Sequence, residues 1–385
     1  MSEKSEVQEA GAESAQSSDF KLDMKYLVKA LVKYHASDLH LRVGRPPLFR
    51  VNGKLIVAKM PVLTSNEAEK IICGILSPKQ LSELENNKQI DLSFKVDELG
   101  RFRCNVFYQR NTIAAAVRMI PYAVPKIGEL GLPPVLKELC MRLKGLILVT
   151  GPTGSGKSTT LTAMTQYINE TSHVHILALE DPIEFVYRDI KATITQREIG
   201  SDALSMSAAL IAGLRQDPDV ILLGEARDSA TIEAALTAAE TGHLVMTTLH
   251  TNDAKSSIDR ILDVCRGSNQ NQVRHQLAST LAAVISQQLV LRADGKGLVP
   301  ACEVMIKSPA IEECIKKNES NRLQEFISNS NNYYHMQSMN QSLEQLVRSN
   351  TVTLDEALKH SSNPDDLRLI FSGLNREEGY NPPSS

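Results

Sequence analysis

The chain has 385 residues, 42% of them apolar, and its 42 Lys and Arg against 45 Asp and Glu leave a formal net charge of −3. That length suits two or three domains with ordinary cores, and a slightly acidic balance without a polybasic stretch argues against a dedicated nucleic-acid binder. The six cysteines, Cys73, Cys104, Cys140, Cys265, Cys302 and Cys314, form no CxxC pair, so neither zinc nor a disulfide framework is indicated.

A reducing cytoplasm fits those thiols. No apolar window is long enough to span a bilayer, and the N-terminus lacks the apolar core of a signal peptide. Residues 1–20 are too polar to pack and read as a disordered tail, as do residues 372–385 with their Pro382-Pro383-Ser384-Ser385 ending.

Residues 21–120 read as a small α+β domain. A helix is expected over 23–34 and short strands over 39–43, 48–51 and 54–57, the last two joined by an Asn52-Gly53 hairpin turn. A final hairpin pairs 101–108 with 112–120. In its first strand Phe102, Cys104, Val106 and Tyr108 alternate with Arg101, Arg103 and Asn105, so one face is apolar and the other presents two arginines. Taken alone, that polar face is a solvated surface. Pro121 and Pro125 then bracket a non-helical linker over 121–126.

From 127 to 371 apolar strands alternate with helical stretches, the pattern of a parallel sheet with crossover helices. Strands are expected over 146–150, 175–179, 220–223 and 244–249. The first runs into Gly151-Pro152-Thr153-Gly154-Ser155-Gly156-Lys157-Ser158-Thr159, a full GxxxxGK[ST] phosphate-binding loop in the strand-to-helix context that this motif requires. Its glycines let backbone N–H groups curl around a phosphate at the positive end of the following helix. Lys157 is expected to reach the β and γ phosphates of ATP, and Ser158 to ligate Mg²⁺.

The other strands also end in polar residues, where such sheets bind ligands. Glu180-Asp181-Pro182-Ile183-Glu184 follows the second, Gly224-Glu225-Ala226-Arg227-Asp228 the third and His250-Thr251-Asn252 the fourth. Hydrolysis needs a group that orients water and accepts its proton. Glu225 suits that task, although Gly224 stands where such a motif carries aspartate. Glu180 and Glu184 join the expected nucleotide site, with Glu180 supporting Mg²⁺ through water or else only shaping the loop. His250, at the strand's C-terminal end, suits a γ-phosphate sensor. His243 stays open between structural and functional roles, Thr247 and Thr248 read as β-formers, and Arg215, Arg227 and Arg260 as partners of nearby acids.

These segments together resemble the Walker A, Asp, Walker B and His boxes of the secretion superfamily ATPases, the motors of type II secretion and type IV pili. His35-Ala36-Ser37-Asp38-Leu39-His40 is similar to that family's N-terminal motif. The large extra N-terminal domain and four-cysteine zinc module of the extension ATPases are missing, so the chain more closely resembles the pilus retraction ATPases, the PilT/PilU family. The resemblance implies a PAS-like α+β N-terminal domain followed by a RecA-like P-loop ATPase domain, in an α/β homohexamer with ATP at its interfaces. It also implies arginine contacts to the nucleotide from the N-terminal hairpin, here Arg103 and Arg110, with Arg101 and Arg118 as alternatives. Expected partners are an inner-membrane pilus platform protein and a paralogous retraction ATPase, with no nucleic acid and no zinc, at the cytoplasmic face of the bacterial inner membrane. One stretch departs from the family: Ala310-Ile311-Glu312-Glu313-Cys314-Ile315-Lys316-Lys317 reverses the charge at the first arginine of an Ala-Ile-Arg-x-Leu-Ile-Arg-Glu-like signature. That departure counts against full retraction competence, and the ending Asn363-Pro364-Asp365-Asp366-Leu367-Arg368-Leu369 more closely resembles the accessory PilU type, which leaves a PilT-like motor and an accessory subunit with little hydrolysis of its own as the alternatives.

Overall fold

The computed structural model describes residues 22–120, 124–265 and 270–372; the expected tail over 1–20, residues 121–123 of the expected linker and residues 373–385 lie outside them. The chain divides into two compact units, the first up to residue 123 together with Glu184–Val186, the second containing the rest.

The first unit is a six-stranded antiparallel sheet of β1 (Asp38–Arg42), β2 (Leu48–Val51), β3 (Lys54–Val57), β4 (Gln89–Val96), β5 (Gly100–Gln109) and β6 (Thr112–Ile120), in the order β3-β2-β1-β6-β5-β4. Alternation puts Leu39, Leu41, Phe102, Cys104, Val106, Ala115 and Val117 in one core with Leu27, Val28 and Leu31 of the helix Met24–Lys33. Tyr108, read as part of that apolar face, is exposed with the Lys88 ammonium 5.6 Å from its ring centre. Helices Ser65–Cys73 and Pro78–Asn87 each start in a capping box, Thr64 with Glu67 and Ser77 with Gln80.

On the polar face, Arg103 lies opposite Arg118 across β5 and β6, and Arg118 lies opposite Asp38 across β6 and β1. Asp38 is almost fully buried, and Arg118 Nε donates to its Oδ1 at 2.7 Å. Burial opposes ionisation of Asp38, but hydrogen bonds from Arg118 and Ser37 and the Arg118 charge hold its carboxyl below the usual value.

The second unit is built on a seven-stranded sheet. Its strands are β7 (Gly145–Thr150), β8 (His175–Glu180), β9 (Thr193–Glu198), β10 (Val220–Leu223), β11 (Leu244–Leu249), β12 (Leu281–Leu291) and β13 (Leu298–Ile306), in the order β13-β12-β7-β11-β10-β8-β9. All neighbours are parallel except the β12–β13 pair at the edge. Buried on both faces, β7, β10 and β11 are continuous apolar runs rather than alternating ones. Helices Lys157–Thr171, Ser229–Glu240 and Ala254–Val264 connect successive strands and carry the matching buried faces. The C-terminal helices Met339–Arg348, Leu354–His360 and Pro364–Ser372 close a separate small core over Val290, Val299 and Ala301. Ser372 is therefore helical, where the sequence suggested the start of a tail.

Among the charged groups buried within this frame, one carboxyl lies away from the ends of the strands. Glu303 on β13 is 3% exposed, and its Oε1 accepts the Ala254 N–H at 2.9 Å. Burial pushes its carboxyl up to about 7, with hydrogen bonds from Ala254 and Gln324 opposing and the Asp253 charge adding to the rise. Because the folded value lies above the ordinary 4.5, the folded state holds the extra proton between about 4.5 and 7. Its stabilising contribution is thus complete at the acid end of that window and lost as pH rises through it. Glu303→Gln keeps the acceptor and removes the charge, so it should stabilise the protein at pH 8 by about 3 kcal/mol, with the gain shrinking toward pH 5. Thermal unfolding across that range checks this; a gain independent of pH would mean Glu303 is ionised throughout.

Candidate active site

Four neighbouring strands, β7, β11, β10 and β8, run parallel and end side by side. Their C-terminal ends carry, in that order, the glycine-rich loop, His250, Gly224-Glu225 and Glu180, so the second-unit motifs separated in sequence form one row.

Within the loop, Gly151, Gly154 and Gly156 have φ of 145°, 82° and 87°, backbone that suits glycine. Gly156 caps the helix Lys157–Thr171 at its N-terminus. Lys157 is 7% exposed and its Nζ donates to Gly151 O and Pro152 O, both at 2.9 Å. The ammonium is thereby folded over the loop, held by carbonyls that a phosphate oxygen can replace. Pro152, Thr153 and Gly154 form the exposed rim, Ser158 and Thr159 the first helical turn behind it. Ser155 Oγ is buried without a hydrogen-bond partner among the described residues. A left-handed glycine at the cap, a retained ammonium and open space around Gly154 together fit a phosphate chain.

Behind the loop lies β12, which pairs with β7 so that Ser286 faces Thr150. Thr150 Oγ1 donates to Ser286 Oγ at 2.9 Å. Gln287, 3% exposed, accepts from Thr160 Oγ1 at 2.7 Å and donates through Nε2 to Ser155 O at 2.6 Å. Sequence reasoning missed both residues, because β12 lacks alternation and lies over a hundred residues from the loop.

Glu225 follows β10 directly and is half-buried. Arg227 Nη2 lies 2.9 Å and His250 Nε2 3.3 Å from its Oε2. Burial opposes its ionisation, and the Arg227 hydrogen bond with the His250 and Arg227 charges outweighs it, holding the carboxyl below its usual value. Thr248 proves more than a β-former: its Oγ1 donates to Gly224 O at 2.7 Å and its carbonyl accepts the Ala226 N–H at 3.4 Å, pinning the backbone on both sides of Glu225. Thr247 Oγ1, by contrast, is buried and has no hydrogen-bond partner among the described residues.

The glycine in place of aspartate lies beside the end of β8. A Cβ at Gly224 would lie 3.4 Å from Glu180 Cα and 3.6 Å from Asp181 N, ordinary packing distances against the β8 backbone. Glu180 brings a carboxylate from that adjacent strand instead; it is 7% exposed, and its Oε1 accepts from Gln196 Nε2 at 2.6 Å.

Other expected residues lie elsewhere. His243 sits before β11, at the opposite end of the strand from His250, with Nδ1 2.9 Å from Ala238 O; it fixes the end of the helix Ser229–Glu240, a structural role. Glu184 falls with the first unit. Arg103 and Arg110 also belong to the first unit: Arg103 is exposed and 3.7 Å from Asp91, while Arg110 and Asn111, at φ 47° and 60°, make the tight turn between β5 and β6. Arg101 Nη2 donates to Ser93 Oγ at 2.6 Å, and Arg118 is held by Asp38 as described.

Residues 14–368 match the family described as Type II/IV secretion system protein. The type IV pilus retraction ATPase PilT of Pseudomonas aeruginosa is 42% identical over 346 residues, covering 90% of this chain and all of that protein. The type IV pilus ATPase PilU of the same organism is 36% identical over 350 residues, 91% of each. Among solved structures, the pilus retraction motor PilT with bound ADP superposes with a TM-score of 0.83 at 45% identity, over 90% of this chain and 99% of that one.

The loop geometry ranks its glycines. A Cβ on Gly151 would meet Gln287 O at 2.3 Å, and one on Gly156 Gln287 Nε2 at 2.8 Å, whereas Gly154 has nothing within 4 Å. Gly154→Ala should cost only the left-handed backbone strain of about 1–2 kcal/mol. Gly151→Ala should destabilise most and Gly156→Ala should abolish fluorescent-ADP binding. Melting and binding titrations on the three variants check the order; equal effects would mean that β12 does not press on the loop.

Proposed function

The chain belongs to the type II/IV secretion system protein family, in its PilT/PilU group of ATPases, and we propose that it is a Mg²⁺-ATP-hydrolysing motor powering type IV pilus retraction and twitching motility. The observation that carries the hydrolytic reading is the Glu225 carboxylate, held ionised by Arg227 and His250 at the end of the row that begins with the phosphate-binding loop.

The chemistry follows from the residues. Backbone N–H groups from Gly151 to Ser158 and the Lys157 ammonium bind the β and γ phosphates, releasing Lys157 from the carbonyls of Gly151 and Pro152. Ser158, and Glu180 through water, would hold Mg²⁺, which supplies charge neutralisation on those phosphates when bound. Glu225 orients the attacking water and takes its proton; the exposed Arg227 must swing away to free the carboxylate, while Thr248 keeps the backbone fixed. His250, already beside Glu225, suits the sensing of the γ-phosphate. Arg103 and Arg110 complete the nucleotide site, a contribution of the arginine-finger kind worth about 10³–10⁵ in rate.

In this reading the motor is a homohexamer working on an inner-membrane platform protein at the cytoplasmic face, beside a paralogous retraction ATPase. No helix among the described residues is long and apolar enough to cross a membrane. An accessory role has one observation in its favour: Glu312, where the retraction signature has arginine, is tied into its own helix and its approach by Lys316 at 2.7 Å and Lys307 at 3.1 Å. The higher identity to PilT than to PilU favours the motor.

Steady-state hydrolysis by the purified protein beside Glu225→Gln, with mass measured on the same samples, decides between them. A hexamer whose turnover falls by about 10²- to 10⁴-fold in the variant, with ADP binding kept, is expected. A wild type that binds ATP but does not consume it would establish the accessory reading instead.

A further inference from the structure

We propose that Gln287 is a positioning residue for the phosphate-binding loop, holding the Ser155–Gly156 peptide so that the Gly156 N–H points at a bound phosphate. The inference rests on the nucleotide-binding reading above and adds a residue from a strand that carries no part of the motif.

Three observations combine. First, Gln287 Nε2 donates to Ser155 O at 2.6 Å, from a side chain 3% exposed. In a trans peptide the C=O and the next N–H point in opposite directions. A carbonyl drawn toward β12 therefore turns the Gly156 N–H away from β12, toward the open side of the loop; among the described residues that N–H has no backbone acceptor. Second, the amide is itself fixed. Thr160 Oγ1, 1% exposed, donates to Gln287 Oε1 at 2.7 Å, and the flipped amide would set two carbonyl oxygens against each other at Ser155. Third, the fit leaves no slack. A Cβ at Gly156 would lie 2.8 Å from Gln287 Nε2 and 3.8 Å from Leu289, and one at Gly151 only 2.3 Å from Gln287 O. Side chain and backbone of one residue thus bound the loop at both ends.

The sequence motif supplies a loop able to point its N–H groups inward; Gln287 selects that orientation before phosphate arrives. Lost pre-organisation must be regained from binding energy, so affinity should suffer for ligands that engage the loop and not for those that do not.

The test compares ADP with AMP, because the β-phosphate is the group the loop cradles. Competition titrations against a fluorescent ADP would be run on the full chain as wild type, Gln287→Met, Gln287→Glu and Thr160→Val, with melting recorded for each. Gln287→Met, close in shape but unable to hydrogen-bond, should reduce the ADP-to-AMP affinity ratio about tenfold, the size of one lost hydrogen bond to a site that binds charge. Gln287→Glu, which keeps the acceptor for Thr160 but places a carboxylate against Ser155 O, should do at least as much. Thr160→Val leaves Gln287 in place with a freer amide and should give a smaller drop in the same direction, which keeps the proposal open to test if both Gln287 variants fail to fold. An unchanged ratio in folded variants overturns the proposal, as does equal weakening of ADP and AMP, which would mark Gln287 as a packing residue. Wild-type protein that binds no ADP would sink the nucleotide site itself and not this assignment alone.

Discussion

The site in the second unit depends on the close approach of β12 to the glycine-rich loop. At Gly151 the chain leaves β7 where a β-carbon would overlap the carbonyl of Gln287, and at Gly156 it enters a helix with the Gln287 amide against it. Both glycines are thus required by the neighbouring strand as well as by their own backbone angles. A parallel neighbour pressed this close leaves the loop one free side, the side lined by Lys157 and continued by the ends of β11, β10 and β8. The order of strands in the sheet, rather than any single residue, makes the loop, His250, Glu225 and Glu180 neighbours.

Electrostatics along that row follow from the packing. Glu225 is buried enough to resist ionisation, yet two nitrogen bases within 3.3 Å keep it charged. Glu180, more deeply buried, shares the row from the next strand. The Gly224 position shows how the two are connected: a Cβ there would touch Glu180 Cα at 3.4 Å, so the two carboxylates rise from adjoining backbone of β10 and β8. The proposed mechanism uses the same proximity. One carboxylate is kept ionised by the cations beside it, and the other sits on the neighbouring strand; in the proposed mechanism the first takes a proton from water and the second reaches a cation's hydration shell.

Much of this was legible in the sequence where local chemistry dominates. The phosphate-binding loop, the apolar β7, β10 and β11 and the Asn52-Gly53 hairpin are determined by residues within a few positions of one another. The helices from Ser65 and Pro78 carry equally local capping-box signals, Thr64 with Glu67 and Ser77 with Gln80. The β12–β13 pair was illegible for a different reason: Leu281-Ala282-Ala283-Val284-Ile285-Ser286-Gln287-Gln288 is buried on both faces and rich in helix-forming residues, so it has no period of two. Gln287, Thr248 and Gly224 act through contacts across strands, and single-sequence spacing holds no record of them. His243 and His250 show the limit most plainly, since both flank β11 and only the strand's direction separates a structural histidine from one beside Glu225.

The strands the sequence concealed also join the site to the rest of the second unit. Alternate residues of β12 face opposite ways, so Gln287 meets the loop while Gln288 Oε1 lies 2.9 Å from His360 Nδ1 in the C-terminal helices. On β13, the Cys302 N–H donates to Ser342 Oγ at 3.0 Å and Glu303 accepts from Ala254, four residues beyond His250. The partners in these bonds are largely buried, and a buried polar pair that separates leaves both groups unsatisfied. Any shift of the loop against β12 must therefore either break such bonds or carry the β12–β13 hairpin with it. Retaining them is the less costly course, and it makes the hairpin the stiff element between the phosphate-binding loop, the segment after His250 and the C-terminal helices.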